Sequence, residues 1–160
     1  MAGCGSWAQS PPDWAGLYDR ALGSGLLITG PFSALTPHLR GRVAYVATPG
    51  QPGRATSRQL RGAARWSGLC TACGIAALSP QVLAAALLAG PETGLATAER
   101  VPGFWSAWSF RLLLASGAVL VPPVRGWRQA PEVWGVASWA IRHNVTLAVV
   151  APDPEGLPWA

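Results

Sequence analysis

Residues 104–150 read FWSAWSFRLLLASGAVLVPPVRGWRQAPEVWGVASWAIRHNVTLAVV. In the first part, Trp105, Trp108, Leu112 and Ala115 recur at three- and four-residue spacing. That period predicts a helix over 104–116. Residues 118–121 are a short apolar run stopped by Pro122-Pro123, as expected of a strand buried on both faces. A polar loop with Gly126-Trp127-Arg128-Gln129 follows. A second helix is predicted over 131–143, with Pro131 in its first turn and Asn144 at its end. Residues 146–151 form a second apolar run. Helix, strand, loop, helix, strand is the rhythm of a parallel sheet. Ligands of such sheets bind outside the carboxyl ends of the strands.

Working outward, residues 42–47 (RVAYVA) are another strand, ended by the turn-rich Thr48-Pro49-Gly50-Gln51-Pro52-Gly53. A helix is expected over about 54–68. A strand is expected over 74–78, ended by Ser79-Pro80, and a short helix over 81–88. Residues 90–103 read as a long lid or edge loop. Residues 25–30 suit an extra strand or a turn, and 31–42 read as a connection. Before them, residues 1–24 read as a loosely packed segment holding one short helix over 14–22. The expected organisation is an N-terminal extension (1–41), an α/β domain (42–152) and a tail (153–160). The domain is a doubly wound parallel sheet of four to five strands.

At 160 residues the chain has one domain's length, and a hydrophobic half with only 12% charge marks it as globular. No apolar run reaches 18 residues, so no membrane span or membrane partner is expected. Residues 1–10 have no basic stretch, so a secretory signal is not expected and a cytoplasmic address is the default. All twelve basic residues are arginine, and the net charge is +5. No acid lies between Asp19 and Glu92. That half therefore favours phosphate-bearing or acidic partners.

Arg54, Arg58, Arg61 and Arg65 fall at i, i+4, i+7 and i+11, one narrow helical face. Such a face is either plainly solvated or a stripe for polyanions, nucleic acid included. Cys70 and Cys73 form C-x-x-C at a helix end before a strand, the reverse of the redox arrangement, and read as small packing residues. With Cys4, His38 and His143 the only other soft ligands, no metal spacing exists and no metal or cofactor is expected. Neither histidine has a nearby nucleophile and third partner. Gly23, Gly25 and Gly30 miss the G-x-G-x-x-G frame. Trp127 follows a glycine in a loop after a strand. It is therefore the tryptophan expected to border a pocket and to offer a wall to a planar ring.

Several stretches together resemble the nucleoside 2-deoxyribosyltransferase-like superfamily, and within it a family of short bacterial and phage proteins of unknown function. They are Tyr45-Val46-Ala47-Thr48-Pro49, Leu78-Ser79-Pro80, Phe104-Trp105, Leu113-Leu114, Gly126-Trp127, and Trp139-Ala140 with Asn144. The resemblance covers about residues 42–151. It implies a flavodoxin-like sheet, usually in a homo-oligomer, and cleavage or transfer of the N-glycosidic bond of deoxynucleosides. It also implies a glutamate nucleophile near the start of the last helix, a tyrosine in the loop after the first strand, and an aspartate in the helix before the third strand. On this chain those positions fall on Val136, Gly50 and about Ser109, and an acid often found before the third strand falls on Gly117. The sole acid between Glu99 and Asp153 is Glu132, about one turn before Val136.

The leading expectation is a degenerate member, a pseudoenzyme that binds a nucleoside- or nucleotide-like molecule, or a partner, in a cleft of Thr48, Pro49, Gly50, Ser79, Trp127 and Glu132. The alternatives are an active transferase or N-glycosidase using Glu132, and a nucleic-acid-associated or structural protein using the arginine face.

Overall fold

The computed structural model describes residues 11–91 and 93–151. Five strands form one sheet: β1 (Leu27–Gly30), β2 (Val43–Val46), β3 (Ala76–Leu78), β4 (Ala118–Val121) and β5 (Thr146–Val150). Their order is β1-β5-β4-β2-β3, and every neighbouring pair is parallel. Taken from β2 onward this is the 2-1-3-4-5 order of a flavodoxin-like sheet. The fifth position is filled by β1, from the amino-terminal side of the chain, with Leu27 level with Leu147 and Gly30 with Val150.

The strand side chains alternate between two cores. Tyr45, Val119, Val121, Leu147 and Val149 face α6 (Phe104–Leu114), α7 (Pro131–Arg142) and α1 (Trp14–Ala21). Ala44, Val46, Ala118, Leu120, Ala148 and Val150 face α2 (Phe32–Leu39) and α3 (Ser57–Ala72). From β1 the chain moves toward β3 with α2 and α3 on one face. It then returns with α6 and α7 on the other. Reversing direction under a single crossover hand requires opposite faces, and the sheet is therefore doubly wound.

Local signals explain where elements start and where expectation needed correcting. The predicted helix at Arg54 begins instead at Ser57. Thr56 and Gln59 form a reciprocal capping box there, which leaves Arg54 in the preceding turn. The helix, α3, ends at Ala72, a little beyond Gly68 as its pattern allows, with Cys70 buried on the core. α4 (Pro80–Leu88) starts on Ser79, whose hydroxyl accepts from Val82 N, with Pro80 in the first turn. The connection expected over 31–42 contains α2. Pro37 lies inside it, and the Thr36 hydroxyl donates to Phe32 O within the same turn. The long loop over 90–103 holds a four-residue helix, α5 (Leu95–Ala98).

Within the N-terminal extension, residues 11–41 are joined to the sheet and its helices. Residues 25–30, left open between strand and turn, supply β1. α1 is packed rather than loose: Leu17 and Ala21 are buried, and Trp14 Nε1 donates to Arg128 O at 2.8 Å. The ring of Trp14 meets Trp127 and Trp134 edge-on at 4.7 and 5.4 Å. Among the described residues, no helix is long and apolar enough to cross a membrane.

Candidate functional site

β2 and β4 are neighbours, yet the chain leaves them in opposite directions, to β3 and to β5. That divergence is the switch point of the sheet, where a crevice opens at the carboxyl ends of the strands. A cleft lies there. Its walls come from β2 and the loop after it, from α6 and from the first turns of α7. It encloses about 70 Å³ and is otherwise open to solvent. Pockets that bury a drug-sized ligand run to about 300–1,000 Å³. The enclosed part is therefore too small to bury a molecule of that size.

The loop after β2 is fixed at several points. Gly50 N donates to Glu132 Oε1 at 2.6 Å, a charge-assisted bond that ties the loop to the first turn of α7. The Gln81 side chain, buried at the start of α4, donates to Thr48 O at 2.9 Å and to Gly50 O at 2.7 Å. Further along, Gly53 has φ +74, and a Cβ there would overlap the indole nitrogen edge of Trp105. Only glycine lets the backbone pass so near the ring. Trp105 is itself held by a 3.2 Å bond from Nε1 to Glu99 Oε2.

Trp105, Phe110, Leu113, Val133 and Val136 form the apolar wall. The polar groups are Thr48, Gln51, Gln81, Ser106, Ser109, Glu132 and the Tyr45 hydroxyl. Tyr45 is hydrogen-bonded to Ser109, but burial dominates and pushes its phenol well above the ordinary value. It stays neutral through the physiological range. Among the described residues that line the cleft, Glu132 is the one carboxylate, and there is no arginine, lysine or histidine.

Of the six residues expected in one cleft, Thr48, Gly50 and Glu132 line it. Pro49 is buried beside them and is not part of the lining. Ser79 is also buried; it caps α4, and its Oγ lies 3.4 Å from Gln81 Oε1, so it reaches the cleft only through Gln81. Trp127 does not border the cleft. α1 covers it, Arg128 lies over its ring at 5.1 Å, and it belongs to the core. The aromatic wall is supplied instead by Trp105 and Phe110. Ser109 and Val136, singled out by the resemblance, both line the cleft. Gly117 sits at the amino end of β4, with its N–H on Val43 O, on the far edge of the sheet. An acid there would not reach the cleft.

Tyr45, Gln81, Trp105 and Phe110 also line the cleft, and the sequence pattern does not mark them as site residues. Tyr45 sits inside a strand and Gln81 inside a helix, where the pattern speaks only of core and surface. The pairing of Gly53 with Trp105, 52 positions apart in the chain, has no local signal at all.

Arg54, Arg58, Arg61 and Arg65 lie away from the cleft, exposed along α3 and the turn before it. The buried side of that helix carries Ala63, Trp66 and Cys70. Burial, and then the neighbouring Cys73, push the Cys70 thiol up to about 12, which leaves it an inert packing group. Among the described residues, no three His, Cys, Asp or Glu side chains gather as a metal would require.

Fold and site together define a flavodoxin-like α/β domain with a small, mainly apolar cleft at its switch point. No protein-family model, curated protein or solved structure matches the chain.

Proposed function

We propose that the protein is a degenerate relative of the nucleoside 2-deoxyribosyltransferases, holding a nucleoside- or nucleotide-like molecule in the switch-point cleft without transferring the glycosyl group. The observation that carries this reading is the carboxylate inventory of the cleft. Glycosidic chemistry of this kind uses a pair of carboxylates, one as nucleophile and one as acid. The lining offers Glu132 alone, and one oxygen of that carboxylate already accepts from Gly50 N. Val136, at the position where the resemblance places the nucleophile, offers a hydrocarbon surface.

The remaining features suit binding. Trp105 and Phe110 give a planar ring an aromatic wall, and hydroxyl and amide groups stand beside it. A homo-oligomer, which the resemblance implies, belongs to the same proposal, with size-exclusion chromatography as its check. The arginine face is a second and separate surface, suited to a polyanion by charge alone.

The test is calorimetric titration of the full chain with a panel of deoxynucleosides and their monophosphates. Saturable binding, weakened by Trp105→Ala, supports the reading. No heat from any member of the panel would remove it.

A further inference from the structure

The exposed side of α3 carries Arg58, Arg61 and Arg65, with Arg54 in the turn before it. The fold brings two more arginines to this helix from distant parts of the chain. A Cβ on Gly62 would come 3.5 Å from Val124 Cγ1, so the loop after β4 passes against the middle of α3. Arg125, exposed and next in that loop, therefore stands beside the stripe. At the carboxyl end of α3, exposed Arg40 donates from Nε to Cys73 O at 3.2 Å. The acids lie elsewhere. Among the described residues, Asp13 and Asp19 belong with α1 on the opposite face of the sheet, and Glu99 and Glu132 are bonded to Trp105 and to Gly50 N. Like charges three and four residues apart, as at Arg58, Arg61 and Arg65, work against an isolated helix. Charge of one sign is thus gathered along one rigid helix of 16 residues, about 24 Å long.

We infer that this face is a second binding site, independent of the cleft, and that it docks duplex DNA by its phosphate backbone without sequence preference. One strand of DNA carries a phosphate about every 3.4 Å along the helix axis, so α3 spans about seven of them. Guanidinium groups pair with phosphate oxygens in a bidentate fork. Single strands are held by bases stacked on aromatic side chains, and the one aromatic residue of α3, Trp66, is turned into the core. Lipid surfaces take helices that bury an apolar side among the headgroups. The apolar side of α3, with Ala63, Trp66 and Cys70, is already buried in the protein. B-form DNA has a wide major groove that admits a helix, whereas the groove of duplex RNA is deep and narrow. Ala64, Gly68 and Ala72, exposed among and beyond the arginines, let such a surface approach closely.

The test is fluorescence anisotropy of the full chain with a labelled DNA duplex of about 20 base pairs over a series of salt concentrations. Wild type should bind, with log K falling by about 4–5 per tenfold rise in salt, as about five phosphate contacts require. A duplex of unrelated sequence should bind equally, within about twofold. Arg61→Gln with Arg125→Gln should lower the salt slope by about 2. Arg20→Gln with Arg111→Gln removes the same charge from exposed positions on α1 and α6, across the sheet, and should leave the slope unchanged. Arg61→Lys with Arg125→Lys keeps the charge and should keep the slope; a loss as large as that of the glutamine pair overturns the inference. No duplex binding at low salt also overturns it. So does an equal loss from both glutamine pairs, since net charge then accounts for the binding. Tighter binding to a single strand or to an RNA duplex of the same length, or binding to phosphatidylserine vesicles alone, overturns it in favour of that partner.

Discussion

The close approach of Gly53 to Trp105 allows a stability change to be worked out before it is measured. In Gly53→Ala the new Cβ meets two strains. The backbone is left-handed at φ +74, which costs a non-glycine residue about 1–2 kcal/mol. A smaller gain of about 0.4–1 kcal/mol comes from the stiffer unfolded chain. The Cβ also overlaps the Trp105 indole, so the ring must move. Displacing a well-packed core group costs about 1–3 kcal/mol, and weakening the bond from Trp105 Nε1 to Glu99 adds about 0.5–1.5 kcal/mol. The terms together come to about 2–6 kcal/mol. Gly41 is the matched control: its φ is +76, and a Cβ there would meet nothing within 4 Å. Gly41→Ala should therefore cost about 1 kcal/mol, from the backbone alone. Guanidinium unfolding of both variants, with unchanged m-values, gives the two numbers. Equal costs would refute the placement of Trp105 against the loop, and with it the wall of the cleft.

Trp14→Ala should destabilise by about 2–4 kcal/mol despite its position near the start of the chain, since its ring meets three aromatic neighbours and its Nε1 bonds Arg128 O; a change below about 0.5 kcal/mol would mean α1 is dispensable. In a Cys4→Ser background at pH 8, iodoacetamide should modify Cys73 and spare buried Cys70 until the chain unfolds, as peptide mapping will report. The same burial makes the fold bind the Cys70 proton more tightly than the unfolded chain does. Stability should therefore fall as pH rises from about 9 toward 12, and this alkaline slope should shrink in Cys70→Ala. Arg58→Gln with Arg61→Gln should lower the salt slope of any nucleic-acid binding by about 2, whatever the sequence of the probe; retention indifferent to salt and to both substitutions excludes α3 as the surface.

The sheet was legible because β2, β4 and β5 are short apolar runs closed by turn residues, and because Pro131 and Ser79 mark helix starts. β1 and α2 were less so. Residues 27–30 are too short to separate strand from turn by pattern, and only pairing with β5 decides it. Half of the cleft was legible, because Thr48, Gly50 and Glu132 follow strand ends or open a helix. Trp127 obeys the same rule, yet α1 reaches across the chain and buries it. The walls from Trp105 and Phe110 depend on how α6 packs beside the loop. Periodicity identifies such a helix without revealing which of its aromatic residues stay at the rim.

A ¹H NMR time course of 2′-deoxyadenosine and its 5′-monophosphate with the full chain tests the central claim most directly, since saturation transfer reports binding and free adenine reports cleavage in one sample. Saturation transfer to the ligand with no growth of free base, in wild type and in Glu132→Ala alike, is the predicted result. Steady release of adenine that disappears in Glu132→Ala would contradict it and make Glu132 a catalytic residue.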